Sequence, residues 1–433
     1  MPGLRGIDAG LIRAARQARE GVHGLGPGLI TGAADDDPSG ISTYTVTGAS
    51  QGYSLLWMSL VTLPMNFAVQ SICARIGIVS GRGLASVIGR RFGRRWLYPI
   101  VLLLFIANTV NIGADIGAIA AVLELLSRAP AVALVVPIGV GIALTEIVVP
   151  YHEFARYLKF MTLVIFAYVL GAFPARPDWG AALAATFVPR LQLDAGTIQT
   201  VVAILGTTIS PYLFFWQASE EVEEDESRGI VLGRVPAERM RGLLAACHPD
   251  VLSGMMLANV GFYFVVLTSA ATLYAAGRRD IETAAEAAEA LRPLAGDAAF
   301  LLFALGIIGT GLLAIPILAG SVAYAAAELC GWREGLSNTF RRAPQFYGVL
   351  AAATLLGIGL NFVGLSAIRA LFLAAIVNGV ISPVMLVFVM LIARDRTVLG
   401  DFTAGRLISL LGWATTLAMA AAAIILLGTL GWS

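Results

Sequence analysis

The chain has 433 residues, of which 58% are hydrophobic and only 13% are charged. Soluble domains are about 45 to 50% apolar and about 25% charged, so this composition excludes an ordinary soluble protein and indicates an all-α, multi-pass membrane protein. The formal net charge of +1, without basic tracts interleaved with aromatic residues, argues against a nucleic-acid partner.

Apolar runs of about 20 residues, the length that crosses a bilayer, predict eleven transmembrane helices. They lie near residues 22–49, 53–78, 96–126, 130–150, 155–174, 196–219, 249–276, 298–329, 344–365, 368–393 and 405–430. No linker divides them, so residues 1–433 are expected to form a single integral membrane domain. Lys and Arg are concentrated on alternate loops, which predicts an inner-membrane protein with a cytoplasmic N-terminus and an external C-terminus.

Two charged segments lie between these spans. The segment from Gly81 to Arg95 carries basic residues at helical spacing, which predicts an amphipathic helix on the membrane surface. The acidic run from Glu220 to Glu226 follows the sixth span. We expect it to form a solvated face, and the alternative is attraction of cations at the inner mouth of a pathway.

The first span is interrupted by three carboxylates and a Pro-Ser-Gly sequence. The interrupting residues are Asp35, Asp36, Asp37, Pro38, Ser39 and Gly40. An Asp at the centre of a membrane helix costs about 2.5 to 3.5 kcal/mol on insertion scales, so these side chains must face protein, water or an ion. A cation pathway is the first hypothesis, against a buried salt bridge or a helix cap.

The sixth span is interrupted in a similar way, between Gly206 and Tyr212, with Ser210 and Pro211 at the break. These two spans begin successive five-helix halves, near residues 22–174 and 196–393, and the span at 405–430 is additional. Paired breaks at matching positions indicate an inverted-repeat transporter whose unwound backbone meets a cation at the membrane midplane. Carbonyl and carboxylate oxygens suit a hard divalent ion.

A longer motif adds a family resemblance. The sequence Gln70-Ser-Ile-Cys-Ala-Arg-Ile-Gly-Ile-Val-Ser-Gly-Arg82 resembles the end of span two in the Nramp family of divalent metal transporters. Agreement extends to Gly26-Pro27-Gly28, to Pro177-Asp178-Trp179 and to the eleven-span plan, and so covers nearly the whole chain. The resemblance implies a LeuT-like fold, alternating access and metal uptake without nucleotide hydrolysis.

The resemblance also implies roles for particular residues. Asp37 matches the metal-binding Asp of the family, and Ala34 and Thr207 match positions that offer backbone carbonyls. Gln70 matches a polar residue near the ion, and Asn378 lies near a Gln of span ten. For Gln70 and Asn378, hydrogen bonds that tie helices together are an equal alternative.

The departures from the family concern ion selectivity. The family's metal-binding Asn falls on Gly40, and its thioether Met falls on Ser210. Loss of the soft sulfur favours hard ions such as Mg²⁺ or Mn²⁺. Asp35 and Asp36 add carboxylates suited to a partly hydrated ion, as outer-shell or vestibule groups. This pattern is similar to the Nramp-related magnesium transporters.

Comparison of this sequence with the family's motifs does not support proton coupling. The family's proton-relay positions fall on Asp115, Ala118, Tyr212 and Gln217, of which only Asp115 is an acid. Asp115 could equally serve helix packing through Asn108 or Asn111. Without a His, nothing in span six titrates near neutral pH unperturbed.

Two other functional classes remain open. One is a LeuT-fold transporter of an organic or anionic solute, and the remoter one is an intramembrane aspartyl hydrolase that pairs Asp37 with Asp115. No Walker loop, HExxH motif or nucleophile elbow is present, so we expect no enzyme and no cofactor. The expected partners are the transported divalent cation and the lipid bilayer, and a monomer is adequate.

Overall fold

The computed structural model describes residues 26–149, 151–189, 194–232, 235–279, 281, 283–363 and 367–430, and every regular element in these ranges is helical. The helices of the first half are α1 (Pro27–Asp35), α2 (Pro38–Gln51), α3 (Met58–Ser80), α4 (Leu84–Phe92), α5 (Leu97–Ser127), α6 (Ala131–Val148), α7 (Tyr151–Met161), α8 (Phe166–Ala172) and α9 (Trp179–Phe187). Those of the second half are α10 (Ala195–Thr208), α11 (Pro211–Ser227), α12 (Ala237–Ser269), α13 (Ala284–Cys330), α14 (Pro344–Leu360), α15 (Ala367–Ala393), α16 (Arg396–Leu399) and α17 (Arg406–Leu430).

Seven spans built from these helices are long and apolar enough to cross a membrane, within the described part of the chain. An eighth is obtained if α3 and α4, which meet at 76°, are taken as one bent span. Shorter apolar helices cover residues 344–360 and 377–393. The first predicted span corresponds to α1 and α2, which have 9 and 14 residues and are individually too short to cross.

The predicted surface helix is present as α4, which is amphipathic. Its apolar face is buried, whereas Arg90 and Arg91 at its end are exposed. Gly93 follows with a φ of 99°, a left-handed conformation that favours glycine, and ends the helix. The basic end of α4 therefore lies at the surface of the helical bundle.

The acidic run does not form a solvated face, and this expectation is wrong. Residues 220–226 continue α11, and four of their acids, Glu220, Glu221, Glu223 and Asp225, are between 3% and 7% exposed. The carboxylate of Glu223 accepts hydrogen bonds from the Tyr324 hydroxyl and from the backbone amides of Leu336 and Ser337. A segment more than a hundred residues away covers the run, which no local pattern reveals.

Helix α1 lies against α12 with direct backbone contact. A Cβ on Gly254 would lie 1.9 Å from the carbonyl oxygen of Gly28, and one on Gly32 would lie 2.0 Å from the carbonyl carbon of Gly254. Small residues are what allows two membrane helices to approach this closely. The Asp250 carboxylate of α12 also accepts hydrogen bonds of 2.7 Å and 2.8 Å from the amides of Gly26 and Gly28. This contact caps the first turn of α1 from a different helix.

Candidate functional site

The candidate site lies where α1 gives way to α2 and α10 gives way to α11. Both second helices begin with a proline, Pro38 and Pro211, which fits the first turn because its missing N–H would have no helical partner there. Gly40 and Gly206, which the sequence assigns to the breaks, lie inside α2 and α10. This corrects the assignment: the breaks lie directly before Pro38 and Pro211, and a single glycine is tolerated within a helix.

Asp37 is the residue that begins α2. Its Oδ1 accepts hydrogen bonds from the Gly40 amide at 2.7 Å and from the Ser39 hydroxyl at 2.6 Å, which is an N-cap. Both bonds fall on Oδ1, and Oδ2 accepts no hydrogen bond of ordinary geometry from the described residues. The helix-cap alternative is thus realised by one oxygen of Asp37.

The second break lies directly beside Asp37. A methyl group placed on Gly40 would lie 3.4 Å from both Asp37 Oδ1 and Thr207 Oγ1. The Ser210 hydroxyl donates to the Thr207 carbonyl at 2.8 Å, and the Tyr212 hydroxyl donates to the Ala34 carbonyl at 3.0 Å. The structure therefore brings the predicted ligands of spans one and six to one place, with both predicted carbonyls already engaged by hydroxyl groups.

Asn66 of α3 joins the two breaks, and sequence reasoning missed it. Its Nδ2 donates to Asp35 Oδ2 at 3.0 Å and to the Thr208 carbonyl at 3.0 Å. Asn66 precedes Gln70 by four residues, so both amides lie on one face of α3. That spacing is the signal that could have found it. Ser382 of α15, also missed, donates to the Ile209 carbonyl at 3.1 Å.

The three consecutive carboxylates point to different neighbours. Asp35 faces Asn66, and Asp37 faces the α10 break, whereas Asp36 faces α12, where a Cβ on Gly261 would lie 1.8 Å from Asp36 Oδ2. Within the described ranges, no three side chains among Asp, Glu, His and Cys converge to hold a metal ion. Asp35 and Asp36 therefore do not join Asp37 in one acidic cluster, and a cation at Asp37 would need neutral oxygens as its other ligands.

Gln70 and Asn378 are both buried near the middle of their helices, with exposures of 0% and 5%. Neither polar atom of the Gln70 amide has a hydrogen-bond partner among the described residues, and the same holds for Asn378 Oδ1. A buried amide without partners is unfavourable by about 1 to 3 kcal/mol per group. The Gln70 amide therefore does not tie helices together in this structure.

The predicted proton-transfer positions separate into two places. Asp115 of α5 lies beside the Ser39 backbone amide, and neither of its oxygens has a hydrogen bond of ordinary geometry in the described part. Asn108 does not bond to it and instead donates to the Leu318 carbonyl and to Ser321. Gln217 lies further along α11, where its amide donates to a carboxylate of the acidic run at 2.8 Å.

The electrostatics of the site are dominated by negative charge. Asp35, Asp36, Asp37 and Asp115 are between 0% and 3% exposed, and the charged groups closest to them are one another. No ion pair within the described ranges involves any of the four. Uncompensated buried carboxylates are strongly unfavourable, so this region requires protons or a metal cation.

Two proteins of similar sequence are both named as divalent metal cation transporters. The chain is 28% identical over 410 residues to the divalent metal cation transporter MntH of Deinococcus radiodurans, covering 90% of this chain and 86% of the relative. It is 26% identical over 439 residues to the MntH protein of Granulibacter bethesdensis, covering 95% and 88%. These proteins are named as transporters, in agreement with the expectation that the chain is not an enzyme.

Solved structures show the same fold. A crystal structure of the Eremococcus coleocola manganese transporter matches with a TM-score of 0.76 and 18% identity, covering 94% of this chain and 86% of that one. Mhp1, a transporter of the nucleobase-cation-symport-1 family, matches more distantly with a TM-score of 0.54 and 15% identity, over 94% and 92%. The chain therefore shares the overall fold of these transporters, in agreement with the LeuT-like fold that the family resemblance implies. The model of the natural resistance-associated macrophage protein-like family matches residues 28–429, and the chain belongs to this Nramp family.

Proposed function

We propose that this protein is an inner-membrane transporter of divalent metal cations that binds its substrate between the two helix breaks and works by alternating access. The observation that carries the proposal is that four buried carboxylates, which point to different neighbours, lie near the place where two broken helices meet, and none of them forms an ion pair with a described residue. The names of the MntH relatives and of the manganese transporter support the same substrate class.

Asp37 is the proposed principal ligand, through Oδ2. Its neighbours are the carbonyls of Ala34 and Thr207 and the hydroxyl of Ser210, with Gln70 and Asn378 as further oxygen donors from α3 and α15. The Ala34 carbonyl accepts from Tyr212, so ion binding would exchange this hydroxyl for the cation. Asp37→Ala is expected to abolish uptake in proteoliposomes while the protein stays folded, and normal uptake by this variant would refute the site.

A hard, partly hydrated ion, Mg²⁺ or Mn²⁺, is the proposed substrate. Gly40 brings no amide oxygen to the break, and even a Cβ at this position would lie 3.4 Å from Asp37 Oδ1 and Thr207 Oγ1, so the ligands that remain are oxygens of Asp37, the backbone and Ser210, with no sulfur among them. Mg²⁺ keeps several waters when it binds. Ser210→Met should raise uptake of Cd²⁺ relative to Mg²⁺, because a thioether favours soft metals, and Ser210→Ala is the matched control for loss of the hydroxyl alone. An unchanged ratio in Ser210→Met would contradict this assignment.

Proton coupling is not part of the proposed cycle, because Asp115 is the one acid among the relay positions. Uptake of Mg²⁺, Mn²⁺ and Ca²⁺ into liposomes, with the internal pH recorded at the same time, tests substrate and coupling together. Acidification of the lumen that tracks ion entry would overturn the uncoupled cycle. Insensitivity to all divalent ions would instead favour the alternative, an organic or anionic solute.

The proposed membrane organisation has eleven spans, with a cytoplasmic N-terminus and an external C-terminus. The two five-helix repeats cover residues of about 22–174 and 196–393, and the spans containing the two breaks are unwound at the midplane. Reporter fusions test the topology, because alkaline phosphatase is active only outside the cytoplasm. Phosphatase activity at the C-terminus and none between α11 and α12 is the expected result, and the reverse pattern would refute it.

A further inference from the structure

Four arginines lie at the end of α4, and they have different surroundings. Arg91 forms an ion pair with Asp395, and the Arg95 guanidinium lies over the Trp96 ring at 5.6 Å from its centre. Arg90 and Arg94 instead line a cavity of about 190 Å³ beneath α4. Among the described residues, neither of these two forms an ion pair. Two cationic groups thus border a partly open cavity, and no counter-charge in the described part of the chain is bonded to them.

Two acids from the last turn of α13 and the segment that follows it also line this cavity. Glu328 lines it but is fully engaged, since its oxygens accept from the Ser86 amide at 2.6 Å and the Ser219 hydroxyl at 2.9 Å. Glu334 also lines it, and its Oε2 is buried without a hydrogen-bond partner in the described part of the chain. The exposed ring of Trp332 lines the cavity as well.

The lining of the cavity therefore combines donors for an anion with an acceptor for a cation. Arginine side chains bind phosphate oxygens with two parallel hydrogen bonds, and a carboxylate beside an aromatic ring binds an ammonium group. A volume of about 190 Å³ is below the range of about 300 to 1,000 Å³ typical of sites for whole drug-sized molecules. It suits a small headgroup that carries both charges a few bonds apart.

We propose that this cavity binds a zwitterionic phosphate–ammonium headgroup, with the phosphate on Arg90 and Arg94 and the ammonium on Glu334. A lipid is the expected source, because exposed aromatic side chains at Trp96 and Tyr98 place this end of α4 at the membrane interface. Phosphatidylethanolamine has the required chemistry, and phosphatidylglycerol has the phosphate without the ammonium.

The electrostatics of Glu334 support the cation side of this site. Burial, followed by the nearby charges of Glu328, Glu223 and Glu226, raises the pKa of Glu334 to about 9. An ammonium group against this carboxyl would supply the missing positive charge and favour its ionised form. The site is far in sequence from the two helix breaks, and it does not depend on the transported ion.

The test is a titration of the purified full-length protein in detergent, followed by native mass spectrometry. The probes are short-chain phosphatidylethanolamine, phosphatidylglycerol and phosphatidylcholine, with free phosphoethanolamine as the soluble arm. We expect phosphatidylethanolamine to bind about fivefold more tightly than phosphatidylglycerol, the effect of one additional partly exposed ion pair. Phosphatidylcholine should bind with an intermediate affinity, because its quaternary ammonium keeps the positive charge but cannot donate a hydrogen bond to Glu334.

Three variants identify the residues. Glu334→Gln should remove the preference for phosphatidylethanolamine, and Arg94→Gln should weaken both phospholipids. Arg95→Gln is the matched control on the same turn, and it should change neither. Equal binding of the two lipids by the unmodified protein, or an unchanged preference in Glu334→Gln, would overturn the proposal. Free phosphoethanolamine that competes at equal concentration would support the headgroup site and assign it to a soluble ester.

Discussion

Replacement of Asn66 with alanine tests whether the two helix breaks act as one unit. The Asn66 amide donates to the Asp35 carboxylate at the first break and to the Thr208 carbonyl at the second, so this one side chain links the two breaks. Alanine removes both bonds without adding bulk. The carboxylate and the carbonyl would then be buried without these donors, while α3 keeps its helical backbone.

The magnitude follows from the two lost bonds. A hydrogen bond to a charged group contributes about 1.5 kcal/mol or more, and one to a neutral carbonyl contributes about 1 kcal/mol. The sum of about 2.5 kcal/mol corresponds to about 70-fold in the equilibrium between the joined and separated arrangements of the breaks. We therefore expect ion uptake by Asn66→Ala to fall by one to two orders of magnitude.

The assay is initial-rate uptake of Mn²⁺ into proteoliposomes, with thermal unfolding measured on the same preparations. Asn108→Ala is the matched control, because Asn108 is also fully buried and its amide also bonds to two groups, the Leu318 carbonyl and Ser321, away from the breaks. Both variants should unfold at lower temperature, and only Asn66→Ala should lose most of its uptake. Equal uptake by the two variants would refute a special role of Asn66.

Three further predictions concern other parts of the molecule. Gly254→Val should destabilise the protein by about 3 kcal/mol or more in thermal unfolding, because even the Cβ at this position would meet the Gly28 carbonyl. Gly242→Val is the control: it lies on the same helix in open space and should destabilise the protein less. Equal destabilisation by the two variants would contradict the close packing. Gly261→Ala should displace the Asp36 side chain, and unchanged Mn²⁺ uptake by this variant would show that Asp36 takes no part in transport. The pKa of Glu334 is 4.5 in the unfolded chain and about 9 in the folded protein, so its carboxyl loses the proton at lower pH when the chain is unfolded. This group therefore lowers the free energy of unfolding as the pH rises between these two values. Glu334→Gln in lipid-free detergent should therefore melt above the unmodified protein by a margin that widens from pH 5 to pH 8, and a constant margin would contradict this linkage.

The parts of the fold that sequence predicts well are those set by local physics. Apolar length locates the seven or eight long spans found in the described residues. Pro38 and Pro211 locate the breaks because each begins a helix, whereas other prolines, such as Pro64 and Pro137, lie inside continuous helices. A helix cap at Asp37 is predictable on the same local grounds, since an acid directly before a proline is a common pattern at the start of a helix. Gly40 and Gly206 gave a weaker signal, because glycine permits a break without requiring one.

The parts that sequence did not predict depend on distant contacts. Asn66 is a single amide in an apolar run, and its importance comes from two groups on other helices. Glu223 lies in a run that reads as solvated, yet its partners are the amides of Leu336 and Ser337, more than a hundred residues later. The divergence of Asp36 from Asp37 likewise depends on the place of Gly261 in α12.

The backbone contact between α1 and α12 restricts how the protein can change shape. Helices that touch through Gly28, Gly32 and Gly254 have no side chains between them that could repack, so sliding one past the other would open voids along the seam. Asp250 fastens the end of the same seam. We therefore expect these two helices to move together. The second break meets the end of α1 through side-chain hydrogen bonds, from the Tyr212 hydroxyl to the Ala34 carbonyl and from the Asn66 amide to Asp35. Such bonds can be exchanged without opening a packed backbone seam, so a change of shape is expected on this side of α1.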